Sequence, residues 1–196
     1  RILPRWQGLT AEIVGALARD WGGGDTRWLA PAIAAEFDLA ERPGDLWARW
    51  ELLQAQGVDL VVQPEAGRRK RMLLADMDST MIQQECIDEL ADEAGVGPRV
   101  AEITRRAMNG ELDFEGALRE RVGLLKGLPV SVIGKVLAER ITYTPGGREL
   151  IATMHANGGH AVLVSGGFTS FTGPVAAHLG FDENRANTLL SANGAL

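Results

Sequence analysis

Asp76 and Asp78 stand two residues apart in the run Asp76-Met77-Asp78-Ser79-Thr80, directly after the short apolar stretch Arg71-Met72-Leu73-Leu74-Ala75. Side chains alternate along a strand, so two acids at this spacing at a strand end point to one side of the sheet. A second apolar run, Ala161-Val162-Leu163-Val164, ends in Ser165-Gly166-Gly167. A hydroxyl followed by two glycines gives a donor and backbone amides that anionic oxygen can approach closely. Together the two segments point to phosphate chemistry. Asp76 would attack phosphorus and form an acyl phosphate. Asp78 would protonate the leaving oxygen and then activate water. Ser165, Gly166 and Gly167 would hold the phosphoryl oxygens. A divalent cation would offset the charge that repels a nucleophile from a phosphate monoester.

Other readings of these motifs are weaker. Asp76, Asp78 and Thr80 fit the first, third and fifth positions of a calcium loop, but that loop wants Gly at six and Glu at twelve, where this chain has Met81 and Ile87. Ser-Gly-Gly alone also fits a plain strand-to-helix turn. It is the pairing of two motifs, each after a strand, that carries the argument.

The elements that position them follow from pattern. Residues 1–64 read as a small α/β unit. It has a helix over 10–21 (Ile13, Val14, Leu17, Trp21), a break at Gly22-Gly23-Gly24 and a second helix near 45–56. A strand over Val58–Val62 follows, stopped by Pro64. All five tryptophans (Trp6, Trp21, Trp28, Trp47, Trp50) lie there and read as core packing, with ligand stacking as the alternative. Residues 65–70 are a linker, and the catalytic domain spans 71–196. From about 82 to 143 the pattern is helical. Ile82, Cys86, Ile87, Leu90 and Ala94 form one face, Pro98 suits a first helical turn, and Asp113 suits an N-cap. Helices inserted between two strands predict a parallel sheet with a helical cap over its carboxyl edge, where ligands bind in open α/β sheets. The last segment reads as a strand from Thr188 and a turn at Asn193-Gly194.

Composition excludes several classes. Net charge of −6 argues against a broad nucleic-acid surface, and Arg68-Arg69-Lys70-Arg71 reads as a solvated linker. The single cysteine, Cys86, forms no intrachain disulfide, which fits a reducing, cytoplasmic setting. No apolar run approaches the ~20 residues of a membrane span. His155, His160 and His178 are scattered and read as structural or exposed.

This arrangement resembles the haloacid dehalogenase-like superfamily of aspartyl-phosphate hydrolases, and within it the phosphoserine phosphatases. The resemblance runs over roughly residues 70–196. It is carried by Asp76-Met77-Asp78-Ser79-Thr80 with Met81-Ile82-Gln83-Gln84-Glu85-Cys86-Ile87-Asp88-Glu89-Leu90, by Ala107-Met108-Asn109-Gly110 with Asp113-Phe114, by Leu118-Arg119-Glu120-Arg121-Val122 and by Val164-Ser165-Gly166-Gly167-Phe168. It implies a Rossmann-like parallel sheet with a helical cap. It further implies Mg²⁺-dependent hydrolysis of O-phospho-L-serine, as in the last step of serine biosynthesis, with Asp76 and the backbone carbonyl of Asp78 in contact with Mg²⁺. Glu85 would meet the substrate ammonium and Arg121 its carboxylate, with Met108 and Phe114 closing over it.

Spacing alone leaves alternatives. Arg121 fits a structural ion pair with a cap acid, or a snorkelling stem; Glu85 reads as solvated, and Met108 and Phe114 as core. Arginine does match a carboxylate bidentately, which favours an amino-acid substrate over a sugar phosphate. Transfer to another alcohol such as homoserine, or a non-catalytic phosphoserine-binding remnant, are the competing functions. The resemblance also calls for a later lysine and a Gly-Asp-Gly-x-x-Asp segment, and neither follows Ser165. The expectation is therefore a chain truncated at its C-terminus, of low activity, with a sheet edge and apolar surface exposed. Residues 1–64 resemble partial amino-acid-sensing (ACT) modules and are read as regulatory, as a homodimer surface, or as a scaffold.

Overall fold

The computed structural model describes residues 8–196 and divides into two units, one ending at Arg68 and one spanning Arg69–Leu196. Trp6 lies outside the described residues.

In the first unit, α1 (Ala11–Asp20) starts where Thr10 Oγ1 accepts the Ile13 N–H at 3.2 Å, and it buries Val14, Leu17 and Ala18. β1 (Arg27–Ala30) pairs antiparallel with β2 (Ala34–Glu36), and α2 (Leu46–Gln54) follows. The strand expected at Val58–Val62 does not form. Asp59 Oδ1 instead accepts the Leu60 N–H, Trp50 Nε1–H and Gln54 Nε2–H, so a side chain takes the bond a ladder would have used. The core-packing reading of the tryptophans also fails, because none of the four described is buried. Trp47 and Trp50 meet edge-on, and the Trp21 indole N–H donates to Asp45 at 2.8 Å. Arg68 is not merely solvated linker, since it reaches Glu36 at 2.5 Å. An apolar groove of about 930 Å³ opens in this unit, with Ile13, Leu17, Phe37, Leu53 and Val61 among its walls.

The second unit is built on three parallel strands in the order β3 (Met72–Ala75), β4 (His160–Phe168), β5 (Glu183–Asn187). Met72 pairs with His160 and Ala75 with Leu163, so the ends of β3 and the Ser165 segment emerge on one edge. Between β3 and β4 run α3 (Cys86–Glu93), α4 (Gly97–Met108), α5 (Phe114–Gly123), α6 (Ser131–Glu139) and α7 (Gly147–Ala156). α8 (Thr169–Leu179) links β4 to β5. Gly95 turns the chain with φ 69° after α3, and the two predicted helix starts hold: Pro98 sits in the first turn of α4, and Asp113 Oδ1 caps α5 through the Gly116 N–H at 2.7 Å.

The apolar face of α3 (Cys86, Ile87, Leu90, Ala91) closes on Ile82, Val100, Val136 and Phe171. Leu90 is fully buried, and cutting it to Ala would cost about 3 kcal/mol. The two crossings between sheet and helices lie side by side. Gln83 N–H donates to Thr142 O, Thr142 N–H to Gln84 Oε1, and Thr144 N–H to Met81 O.

The last strand lies at Glu183–Asn187 rather than from Thr188, so that expectation is corrected. Asn184 and Ala186 face inward along it, and Thr172 Oγ1 bonds Asn184 Oδ1 at 2.8 Å. Polar pairing hid the strand from a hydrophobic pattern. The Asn193-Gly194 turn does form, both residues left-handed, and it docks on the loop before α6 through Gly127 N–H to Leu196 O and Leu196 N–H to Leu128 O. Met72 and Leu74 of β3 are exposed, as is Val164 of β4.

Candidate active site

Asp76 stands one residue past β3, and its Oδ1 accepts the Met77 N–H at 2.8 Å. Met77–Met81 then makes one wide turn, closed by Ile82 N–H to Met77 O at 3.0 Å. Inside it Asp78 (φ −67°, ψ 137°) and Ser79 (φ 52°, ψ 16°) leave helical geometry. Both acids do face one cleft. The cause is this turn and not strand alternation, because neither acid lies within β3.

The cleft measures about 250 Å³ and is lined by Asp76, Asp78, Glu85, Phe114, Arg121, Ser165, Gly166 and Gly167, together with the apolar Ile87, Leu118 and Phe168. Its floor is a hydrogen-bonded chain. Asp78 Oδ1 accepts the Cys86 N–H at the start of α3 (3.0 Å), and Asp78 Oδ2 accepts the Ser165 hydroxyl (3.3 Å). Ser165 Oγ in turn accepts the Gly167 N–H (2.9 Å). Ser165 is buried. Asn187, at the end of β5, donates from Nδ2 to Gly166 O at 2.8 Å. A Cβ at Gly167 would lie 3.0 Å from Asp78 Oδ2 and 3.1 Å from Ser165 Oγ, and one at Gly166 would lie 3.2 Å from Phe114 Cζ. A side chain at either position would therefore crowd the motif, against Asp78 and Ser165 at Gly167 and against the Phe114 ring at Gly166.

The cap supplies the other wall. Glu85 Oε1 accepts the Ser79 hydroxyl at 2.6 Å. Half-buried Arg121 donates through Nε to Ala117 O (3.3 Å) and through Nη1 to Thr104 Oγ1 (3.4 Å). Among the described residues no carboxylate stands within ion-pair distance of Arg121, so the cap-acid pair that spacing left open does not form. Most of its five N–H donors remain for something in the cleft. Phe114 packs its ring edge over Gly166. Met108 is the exception among the expected residues: it ends α4, is 85% exposed, and does not line the cleft.

Electrostatics sort the remaining groups. Burial first, and the Asp78 carboxylate second, push the Cys86 thiol up, so it stays protonated and is no nucleophile. Burial also raises the Asp88 carboxyl, partly offset by Arg121. Among the described residues no group of three His, Cys, Asp or Glu stands close enough to hold a metal. The donors here, Asp76 and Asp78, are hard oxygens of the kind Mg²⁺ takes, and a two-residue set leaves its other positions to water and phosphate oxygens.

Pattern reading missed Ile87, Leu118 and Phe168, which look like ordinary apolar helix and strand positions. It also missed Asn187, whose role depends on a strand the pattern did not show. Ser79 was visible as a hydroxyl between the acid pair and Glu85, but its left-handed backbone was not.

Comparison with known proteins agrees with this geometry. The chain is 48% identical over 163 residues to a phosphoserine phosphatase of Vibrio cholerae, covering 82% of this chain and 49% of that protein. A solved phospho-aspartyl intermediate analogue of phosphoserine phosphatase superposes with a TM-score of 0.60 at 43% identity, covering 65% of this chain and 60% of the other. A HAD family hydrolase from Salmonella enterica subsp. enterica serovar Typhi gives a TM-score of 0.80 at 28% identity, over 95% of this chain and 68% of that one. The chain spans about half the length of the curated relatives it matches. No helix among the described residues is long and apolar enough to cross a membrane. Residues 73–196 match the haloacid dehalogenase-like hydrolases, and with the paired acids and serine-glycine floor in place the chain belongs to that family.

Proposed function

We propose that the cleft hydrolyses O-phospho-L-serine to serine and phosphate, the last step of serine biosynthesis, through a phosphorylated Asp76. The observation that carries this reading is Arg121, half-buried and without an ion-pair partner, on the wall across from Asp76, Asp78 and Ser165. A cation held opposite a phosphate floor, with Glu85 beside it, suits a substrate bearing phosphate, carboxylate and ammonium together. The relatives named phosphoserine phosphatase support it.

In the first step an Asp76 oxygen attacks phosphorus and the bond to the serine oxygen breaks. Asp78 delivers a proton to that oxygen, and serine leaves. Water then attacks the phosphorus of the aspartyl phosphate, Asp78 takes its proton, and the bond to Asp76 breaks to release phosphate. Ser165 and the amides of Gly166 and Gly167 hold the phosphoryl oxygens throughout. Asp76 and the backbone carbonyl of Asp78 would hold Mg²⁺, which would offset the negative charge gathered at phosphorus.

Phosphate release from O-phospho-L-serine by this chain, with Mg²⁺ and with Asp76→Asn as control, tests the reading. Release that is abolished in the variant is expected. Equal release by both proteins would refute the nucleophile. Adding homoserine as acceptor separates hydrolysis from transfer.

A further inference from the structure

The left-handed backbone of Ser79 and its short bond to Glu85 are unused by the mechanism above. Only three non-glycine residues among those described have positive φ: Ala32, Ser79 and Asn193. Ala32 sits in a three-residue loop and Asn193 in a two-residue turn, each between paired residues, where such geometry is ordinary. Ser79 sits in the catalytic turn. A strained residue of this kind persists only where its surroundings hold it. Here the Ser79 N–H donates to Gln84 O at 3.1 Å, while Gln84 Oε1 accepts the Thr142 N–H at 2.8 Å. The backbone between Ser79 and Glu85 is thus folded back on itself and tied to the return crossing from the cap. The result is that Ser79 Oγ meets Glu85 Oε1 at 2.6 Å.

We infer that Ser79 is a positioning residue: its hydroxyl fixes the rotamer of Glu85, so that the free Oε2 is presented to the ammonium group of an amino-acid phosphate. Glu85 is exposed and receives no other side-chain hydrogen bond. Without Ser79 its carboxylate samples several rotamers, and ordering it falls to the ligand. This rests on the reading of Glu85 as the ammonium partner.

The test is calorimetric binding of two ligands in the Asp76→Asn background, which holds turnover off. One ligand is O-phospho-L-serine; the other is 3-phospholactate, which carries a hydroxyl in place of the ammonium. The unaltered Ser79 protein is expected to prefer phosphoserine. Ser79→Ala should weaken phosphoserine about fivefold to tenfold, the worth of one hydrogen bond to a charged group at an exposed site, and leave phospholactate unchanged. Ser79→Gly removes the hydroxyl while relieving the positive φ, so it should fold at least as well and show the same selective loss. In a Glu85→Gln background the Ser79 effect should shrink to within twofold, since a residue acting through Glu85 has little left to position. If phosphoserine and phospholactate bind equally with Ser79 present, the ammonium role of Glu85 falls and this assignment with it. If phosphoserine is preferred and both Ser79 variants keep the full ratio, the Ser79 assignment alone is overturned.

Discussion

The floor and the cap wall of the cleft are built to different tolerances. On the floor, Asp78, Ser165, Gly167 and Gly166 are tied by bonds of 2.8–3.3 Å to one another, to Cys86 N–H and to Asn187, and a methyl group at either glycine would meet a side chain at 3.0–3.2 Å. On the cap wall, Arg121 is held only by two long bonds, and Phe114 is 64% exposed. Under the proposed function the phosphate end is preorganised, whereas at the amino-acid end only Glu85, bonded by Ser79, is set in advance. Chemistry that needs an aligned nucleophile and acid demands the first arrangement, while selectivity can be completed on closure.

The contrast yields graded outcomes. Asp78→Asn strikes the floor hardest: kcat should fall about 10²–10⁴-fold with KM nearly unchanged, read by steady-state phosphate release. Gly167→Ala pushes a methyl against Asp78 and Ser165. At about 2 kcal/mol of crowding it should lower kcat/KM about thirtyfold while thermal unfolding shows the fold intact. Arg121→Lys keeps the charge and loses the fork. Affinity for phosphoserine should drop about tenfold while phosphoethanolamine, which has no carboxylate, binds as before. Equal losses for both ligands would show that Arg121 serves the scaffold. The smallest effect belongs to Asp182, at the opposite edge of the sheet. The Ala161 N–H first, and His155 second, hold its carboxyl below the ordinary carboxylate range. A carboxyl lowered in the folded state stabilises above its unfolded value and loses that contribution as pH falls through the lowered one. Denaturation midpoints of the parent should therefore decline from about pH 4 downward, more than those of Asp182→Asn, with ligand affinity at neutral pH unaltered in both.

Most of the floor was readable in the chain because its parts are consecutive. Asp76 and Asp78, and Ser165 to Gly167, each fall within one short segment after an apolar run, and the helix caps at Asp113 and Gly95 depend on neighbours three or four residues away. What escaped was set by distant partners. The Val58–Val62 strand lost to the Asp59 side chain, and β5 carries polar residues satisfied by Thr172. Asn187 acts only once β5 lies beside Gly166. Met108 shows the reverse: the resemblance placed it in the pocket, and at the last residue of α4 it is exposed and outside the cleft lining.

The bond between Asp78 and Ser165 joins residues 87 apart, with the whole cap in between. Closing a flexible loop of that length costs about 4 kcal/mol in chain entropy beyond a constant, and the intervening helices lessen it by forming from local contacts first. The catalytic floor is therefore among the last parts of this unit to assemble during folding. During refolding, helical circular dichroism should therefore recover before ligand binding at the cleft does.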